Sequence, residues 1–425
     1  MKSRTSLYTI FNSVFIVIYL TWIFVPKVNN YLSDIYIFTM MTFFCLYNLL
    51  PVFYDKKVSI NKKELLFIGI ILSWFILLFT YYLYNLKDVA IGNLLNIYMF
   101  FIPVFILQLL NNNKKLLNLI INITFILVIF TSITNIIILL NDPYASKYYI
   151  GSVESAIKEY ENTNLASLDF LSFTVFYSSF IYLFYILLNT SKYKLLYLVA
   201  FIIMGIYIFM SGSSISTLIF VLLIILLTTL FIFKKLKFST PTISSSFFAL
   251  IALIILFKSI IVDVIIDISN YIDNPLYYSR IISLTNFIEG HQTVGSLSER
   301  LTSIKISFNT FLENPLFGKG MVYQANTYES GIGMHSQLID DLGRYGLLGF
   351  TYFLILIYLY FLNNKIISRK NSGFLIVILC GMFTLAFINP FINQNIGVLI
   401  FMIIPIIINN HFEEEKFNAS SICSK

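Results

Sequence analysis

Arg280, Arg300 and Arg344 are three of the five arginines in this 425-residue chain, and His291 and His335 are two of its three histidines. All five fall in one polar segment, Asp263 to Arg344, set among long apolar runs. A chain that is sparing with titratable side chains and gathers them in one place has put anion binding and proton transfer there. A guanidinium fork can hold two oxygens of a phosphate at once. A neutral imidazole is a natural acceptor for a hydroxyl proton.

The motifs around these residues suggest how they are held. Ser296-Leu297-Ser298-Glu299 reads as a capping box that opens a helix. Leu297, Leu301, Ile304, Phe308, Phe311 and Leu312 then recur at helical spacing and form one apolar face. Arg300 falls at the edge of that face, with Ser303 and Ser307 stacked beyond it at i+3 and i+7. Lys305 adds a second cation to the same helix and is counted with Arg300 among the anion-binding residues. The plainer reading of this pattern is an amphipathic helix on lipid headgroups, with Arg300 solvated.

Glu313-Asn314-Pro315 ends the helix, and Pro315-Leu316-Phe317-Gly318-Lys319-Gly320 makes a tight loop. Its glycines can turn backbone N–H groups toward an anion, with Lys319 between them; a simple turn is the plainer alternative. His335 shares a helical face with Leu338, Ile339 and Leu342 and is expected to point toward other helices, where a packed histidine is the plainer reading. Asp340 and Arg344 stand at i,i+4 and are placed to pair. Gly343, Gly346 and Gly349 allow close helix packing.

The rest of the chain must position this segment, and its composition says in what solvent. With 58% hydrophobic and 12% charged residues and a mean hydropathy of +0.84, it is read as an all-α polytopic membrane protein. Apolar runs of spanning character cover 7–25, 32–54, 65–84, 89–110, 116–140, 165–188, 195–210, 215–233, 243–262, 345–362, 374–388 and 396–408, which makes about twelve transmembrane helices. The pair 195–210 and 215–233 is divided at Ser211-Gly212-Ser213-Ser214, because one helix of that length would be about 58 Å long, nearly twice the hydrocarbon core. The net charge of +7 is spread as short lysine clusters, so nucleic acid is not an expected partner.

Those clusters set the orientation. Lys56, Lys57, Lys62 and Lys63, then Lys114 and Lys115, Lys192 and Lys194, Lys234, Lys235 and Lys237, and Lys365, Arg369 and Lys370 all fall in alternate loops. Both termini are therefore expected in the cytoplasm, and the loop between spans 9 and 10 outside. The division is 1–262 (spans 1–9), 263–344 (the large extracytoplasmic loop, with amphipathic helices and the catalytic region), 345–410 (spans 10–12) and 411–425 (cytoplasmic tail). Cys45, Cys380 and Cys423 give no disulfide framework.

The chain has no Walker A loop, no His-Glu-x-x-His, no Cys-x-x-Cys and no Asp-x-Asp. Neither a metal nor another cofactor is expected. The chemistry suits a substrate that carries its own leaving group.

Arg300, Asn314-Pro315-Leu316-Phe317-Gly318-Lys319-Gly320, His335-Ser336-Gln337 and Gly343-Arg344-Tyr345-Gly346-Leu347-Leu348-Gly349 together resemble the O-antigen ligase/polymerase superfamily. Asn162-Thr163-Asn164-Leu165-Ala166 is similar to that family's Asn-rich start to a middle span. Ser211-Gly212-Ser213-Ser214 resembles its Ser-Gly-Ser/Thr-Arg turn, with Ser214 where many relatives have arginine. The resemblance implies a metal-independent polysaccharide polymerase of a bacterial cytoplasmic membrane. It would join undecaprenyl-diphosphate-linked repeat units into O-antigen, capsule or exopolysaccharide on the outer face. His335 and Arg300 would be catalytic. Arg280, Arg344, Lys319, Lys305, Asp169 and Ser214 would line the substrate, with Asp169 a second choice of base. Donor and acceptor glycans on the lipid carrier, membrane lipids, a flippase and a chain-length regulator are the implied partners. A ligase moving the chain to another acceptor is the first alternative, and a lipid-linked oligosaccharide flippase the next.

The orientation makes a direct prediction. Reporters fused after Lys63, Lys237 and Lys370 should report cytoplasm, and fusions near Ser155 and Gln292 the outside. A cytoplasmic signal at Gln292 would place the arginine-rich loop on the wrong face for this chemistry.

Overall fold

The computed structural model describes residues 2–32, 34–54, 102–107, 113–146, 163–188, 193–235, 296–319, 331–363, 372–389 and 393–408, with isolated positions elsewhere. Every regular element among them is helical. Among the described residues, three helices are long and apolar enough to cross a membrane: Lys114–Asn141, Leu168–Leu187 and Ile215–Ile232. Tyr8–Phe24, Lys194–Met210 and Gln394–Ile408 are shorter apolar helices. The chain is thus an integral membrane protein whose described residues are helical. The expected spans at 65–84, 89–110 and 243–262 lie wholly or mostly outside the described residues.

In the bundle, α1 is Lys2–Phe24, α2 is Pro26–Tyr31, α3 is Asp34–Tyr54, α4 is Lys114–Asn141, and α5 is Leu168–Phe180 with a π-helical continuation at Ile181–Leu187. Helix α6 is Lys194–Met210 and α7 is Ser214–Lys235. The last two are separate helices, as the polar tetrapeptide between them led us to expect. Gly212 takes a positive φ of 66° at the turn. The Ser211 hydroxyl donates to the Ile208 carbonyl at 2.7 Å and the Ser213 hydroxyl to Ser216 at 2.9 Å, so the turn brings its own partners. The two helices fold back on each other, with the Phe220 ring against Phe201 and Phe209.

Helix α5 is the axis of the bundle. Phe170, Phe173, Phe176, Tyr177 and Phe180 are all buried, and α6, α7 and the short helix α11 (Gln394–Val398) pack around it. Three of its buried hydroxyls close onto the helix itself. Thr174 donates to the Phe170 carbonyl at 2.8 Å, and Ser178 and Ser179 both donate to Val175, at 3.0 and 2.8 Å. A group that closes onto its own helix needs no water inside the membrane.

Asn135, fully buried near the end of α4, fixes the entry to α5. Its amide donates to the carbonyls of Thr131 (2.7 Å) and Asn164 (2.8 Å), and its oxygen accepts the Ala166 N–H at 2.8 Å. Asn135→Ala strands a buried backbone N–H and a carbonyl, each costing about 1–3 kcal/mol when left without a partner. We expect this variant to melt well below the parent in detergent micelles, while the exposed Ile137→Ala on the same helix should not.

Candidate functional site

Three further helices build the polar end of the molecule: α8 (Ser296–Glu313), α9 (Gln337–Asn363) and α10 (Ser372–Ile388). Helix α8 ends where Asn314-Pro315 places its end, and it packs along α9. It buries its hydroxyl-bearing side. Ser307 and Thr310 are buried and Arg300 half-buried, while Leu301, Phe308 and Leu312 are exposed.

Ser307 is the hub of that contact. Its hydroxyl donates to Asp340 Oδ1 at 2.5 Å and accepts the Gly333 N–H at 2.7 Å. Asp340 Oδ2 accepts the Ser336 N–H at 3.2 Å, and the Thr310 hydroxyl donates to the Gly331 carbonyl at 2.5 Å. The turn 331–336 is thereby tied to both α8 and α9. It includes Met334, whose φ of 57° lies in the left-handed region that a side chain disfavours.

His335 follows Met334. It was expected on a helical face with Leu338, Ile339 and Leu342, but α9 starts at Gln337, so His335 belongs to the turn. The left-handed Met334 and the Ser336 side chain, which accepts the Ile339 N–H at 3.3 Å, both belong to a helix start rather than a helix interior. His335 is half-buried and near enough to Asp340 to bear on its charge.

Arg300 donates through Nη1 to Asn389 Oδ1. Burial pulls its guanidinium below its ordinary value, yet an arginine remains a cation in any protein site. The Asn389 carbonyl also accepts the Gln337 N–H, at 3.2 Å, so one residue at the end of α10 holds the helix of Arg300 and the start of α9. Four residues on, the Asn393 side chain hydrogen-bonds Asp169 in the first turn of α5. Asn389 and Asn393 thus link Asp169 to Arg300 along one end of the bundle. Neither asparagine stands out in the sequence as a site residue. Their signal was the Asn-Pro stop and the Asn393 cap, whose oxygen accepts the Ile396 N–H at 2.9 Å.

Arg344 lies 3.6 Å from Asp341, not in the expected pair with Asp340. Asp340 spends its oxygens on Ser307 and Ser336, while Asp341 is left to Arg344 and to the Gln337 amide at 2.8 Å. Burial pushes the Asp340 carboxyl up, opposed by the Ser307 hydrogen bond, Arg344, the Ser336 N–H and His335. Asp341 is pushed up to about 6 by burial, with Arg344 and Gln337 opposing and Asp340 adding to the rise.

The glycine loop is a clasp. Gly318 N–H donates to the Asn314 carbonyl at 2.9 Å and Lys319 N–H to the Gly343 carbonyl at 2.9 Å, so neither faces an anion. Gly346 breaks α9, with φ 62° and ψ −168°, and frees the N–H groups of Leu347 and Leu348 to donate to Pro315 (2.9 Å) and Leu316 (3.1 Å). A Cβ at Gly318 would meet the Arg344 carbonyl, and one at Gly346 the Leu316 carbonyl. The Lys305 and Lys319 side chains are exposed. Ser214 opens α7, with its side chain outside the described residues, as are Arg280 and His291.

Residues 199–354 match the family model described as O-antigen ligase. That stretch contains Ser214, Arg280, Arg300, Lys305, Lys319, His335 and Arg344, and its family is the one the loop motif resembles. No match was found among curated proteins.

The raised Asp341 carboxyl gives a pH dependence of defined sign. Unfolded, the group titrates near 4; folded, near 6, so within that window the folded state holds more protons. Stability from this group is greatest in acid and falls as pH rises from about 4 to about 6. The melting temperature of Asp341→Asn in micelles should show a shallower decline across that window. An unchanged slope would place the titration elsewhere.

Proposed function

We propose that the chain polymerises undecaprenyl-diphosphate-linked oligosaccharide repeat units on the outer face of a bacterial cytoplasmic membrane. The observation that carries this reading is Arg300: a half-buried cation, held by Asn389 beside the turn that bears His335, within the matched residues. A diphosphate leaving group needs such a cation, and the acceptor hydroxyl needs a base.

In this mechanism His335 takes the proton of an acceptor hydroxyl. The hydroxyl oxygen forms a bond to the anomeric carbon of the donor glycan. The bond from that carbon to the diphosphate oxygen breaks, and undecaprenyl diphosphate leaves with the electron pair. Arg300 stabilises the charge gathering on the leaving group, with Arg344 or Arg280 as the second cation. The proton then passes from the imidazolium to water. Holding two lipid-anchored substrates together supplies further acceleration through orientation. Asp169, joined to the same end through Asn393, is the alternative base.

The description of the matched family favours a ligase as the second reading. The two differ in product: a longer chain on the lipid carrier, or a chain moved to a new anchor.

The test uses proteoliposomes given purified lipid-linked repeats. Arg300→Lys keeps the charge but loses the fork, and His335→Gln keeps a hydrogen-bonding side chain but loses the base. Each should reach normal abundance and leave single repeats unjoined, with losses of about 10²–10⁴-fold for the base. A full ladder from Arg300→Lys would make Arg300 a lipid-anchoring residue. A full ladder from His335→Gln would make His335 structural.

A further inference from the structure

Helix α8 has three sides, with residues about 100° apart around its axis. Arg300, Ser307 and Thr310 turn toward the protein. Thr302, Asn309 and Glu313 form an exposed polar side. Between them runs a third side of Leu301, Phe308 and Leu312, exposed to 48%, 44% and 59%, with Lys305 in its midst. A helix packed on a protein in water buries its apolar stripe, whereas this one buries hydroxyls and presents leucine and phenylalanine outward.

The apolar side does not end with the helix. Leu316 and Phe317 continue it through the clasp, both exposed. The backbone of that clasp is bonded to Leu347 and Leu348, which are themselves exposed at the start of the long apolar part of α9. The strip is therefore continuous with the outward apolar surface of the membrane helices. Lys305 adds a cation whose stem can lie along apolar surface while the ammonium reaches a phosphate.

We propose that α8 lies flat in the outer leaflet, with Leu301, Phe308, Leu312, Leu316 and Phe317 in the acyl chains of bilayer lipid. Lys305 sits at the phosphates, and Thr302, Asn309 and Glu313 face water. The occupant of the apolar strip is the bilayer itself. The arrangement fixes Arg300, on the protein side of the same helix, at headgroup depth. This placement stands apart from the catalytic reading, and its test contains no glycan substrate.

The full chain, with Cys45, Cys380 and Cys423 replaced by alanine, is placed in nanodiscs of phosphatidylethanolamine and phosphatidylglycerol without polyprenyl lipid. A nitroxide is attached at Leu312→Cys, Phe308→Cys or Asn309→Cys, in samples that elute as folded protein. Relaxation by oxygen, which concentrates in lipid, is compared with relaxation by a water-soluble nickel chelate. At 308 and 312 oxygen should exceed nickel several-fold, and at 309 the order should reverse. Two positions on the lipid side keep the test decisive if one variant misfolds. Nickel dominating at both would mean that the strip faces water, and the proposal fails. Protection from both reagents would mean that protein covers it, a second copy included, and the proposal fails equally. Oxygen contact that appears only after polyprenyl diphosphate is added would assign the strip to the carrier lipid instead.

Discussion

The polar end of this molecule depends on one asparagine. Asn389 receives Arg300 on its side chain and Gln337 on its carbonyl, and so fastens both elements of the large loop to the end of α10. A long, flexible side chain on a surface helix samples many positions unless a fixed acceptor selects one. An arginine held in this way is organised before any anion arrives, and preorganised charge is what stabilises a leaving group without reorganisation during the reaction.

The same economy governs the contact between α8 and α9. Near a membrane, each buried polar group must find its partner within the protein, because little water is at hand to replace it. Ser307 therefore serves three neighbours at once: Asp340, Gly333 and, through Asp340, Ser336. That network fixes the turn carrying His335 more firmly than apolar contact could, since hydrogen bonds select direction as well as distance. It also explains how two adjacent carboxylates are tolerated in a buried place. Asp340 is satisfied by hydroxyl and amide donors, and Asp341 by Arg344 and Gln337.

The local signals in the sequence were legible because they act over a few residues. Asn314-Pro315 marked the end of α8, and the serine-glycine turn the division of α6 from α7. The periodic stripe from Leu301 to Leu312 was legible as a stripe, but periodicity cannot say whether its neighbour is protein or lipid. His335 was misplaced onto a helix because a period of 3.6 residues extends smoothly across a boundary that Met334 and Ser336 set by backbone conformation. The pairing of Arg344 with Asp341 in place of Asp340 turned on Ser307, which lies 33 positions from Asp340 in the chain. Asn389 and Asn393 were missed for a related reason. An asparagine beside a proline or at a cap reads as turn chemistry, and only the fold brings Arg300 and Asp169 to it.

The break at Gly346 joins these levels. A helix that ran unbroken from Gln337 would keep the N–H groups of Leu347 and Leu348 in its own ladder and leave the clasp carbonyls without donors. With the left-handed glycine there, the two N–H groups cross to Pro315 and Leu316, and the backbone of Gly318 approaches Arg344 closely enough to leave no room for a side chain. The end of α8, the clasp and the two halves of α9 are thus joined backbone to backbone. The apolar part of α9 takes its depth from the membrane, so the position of α8 along the membrane normal follows from that of α9. Arg300 and the turn of His335 inherit it, one through α8 and the other through Ser307 and Asp340. In the proposed mechanism, a site assembled this way would have its height above the acyl chains set by the protein before substrate arrives. That is the dimension in which a lipid-anchored diphosphate has least freedom of its own.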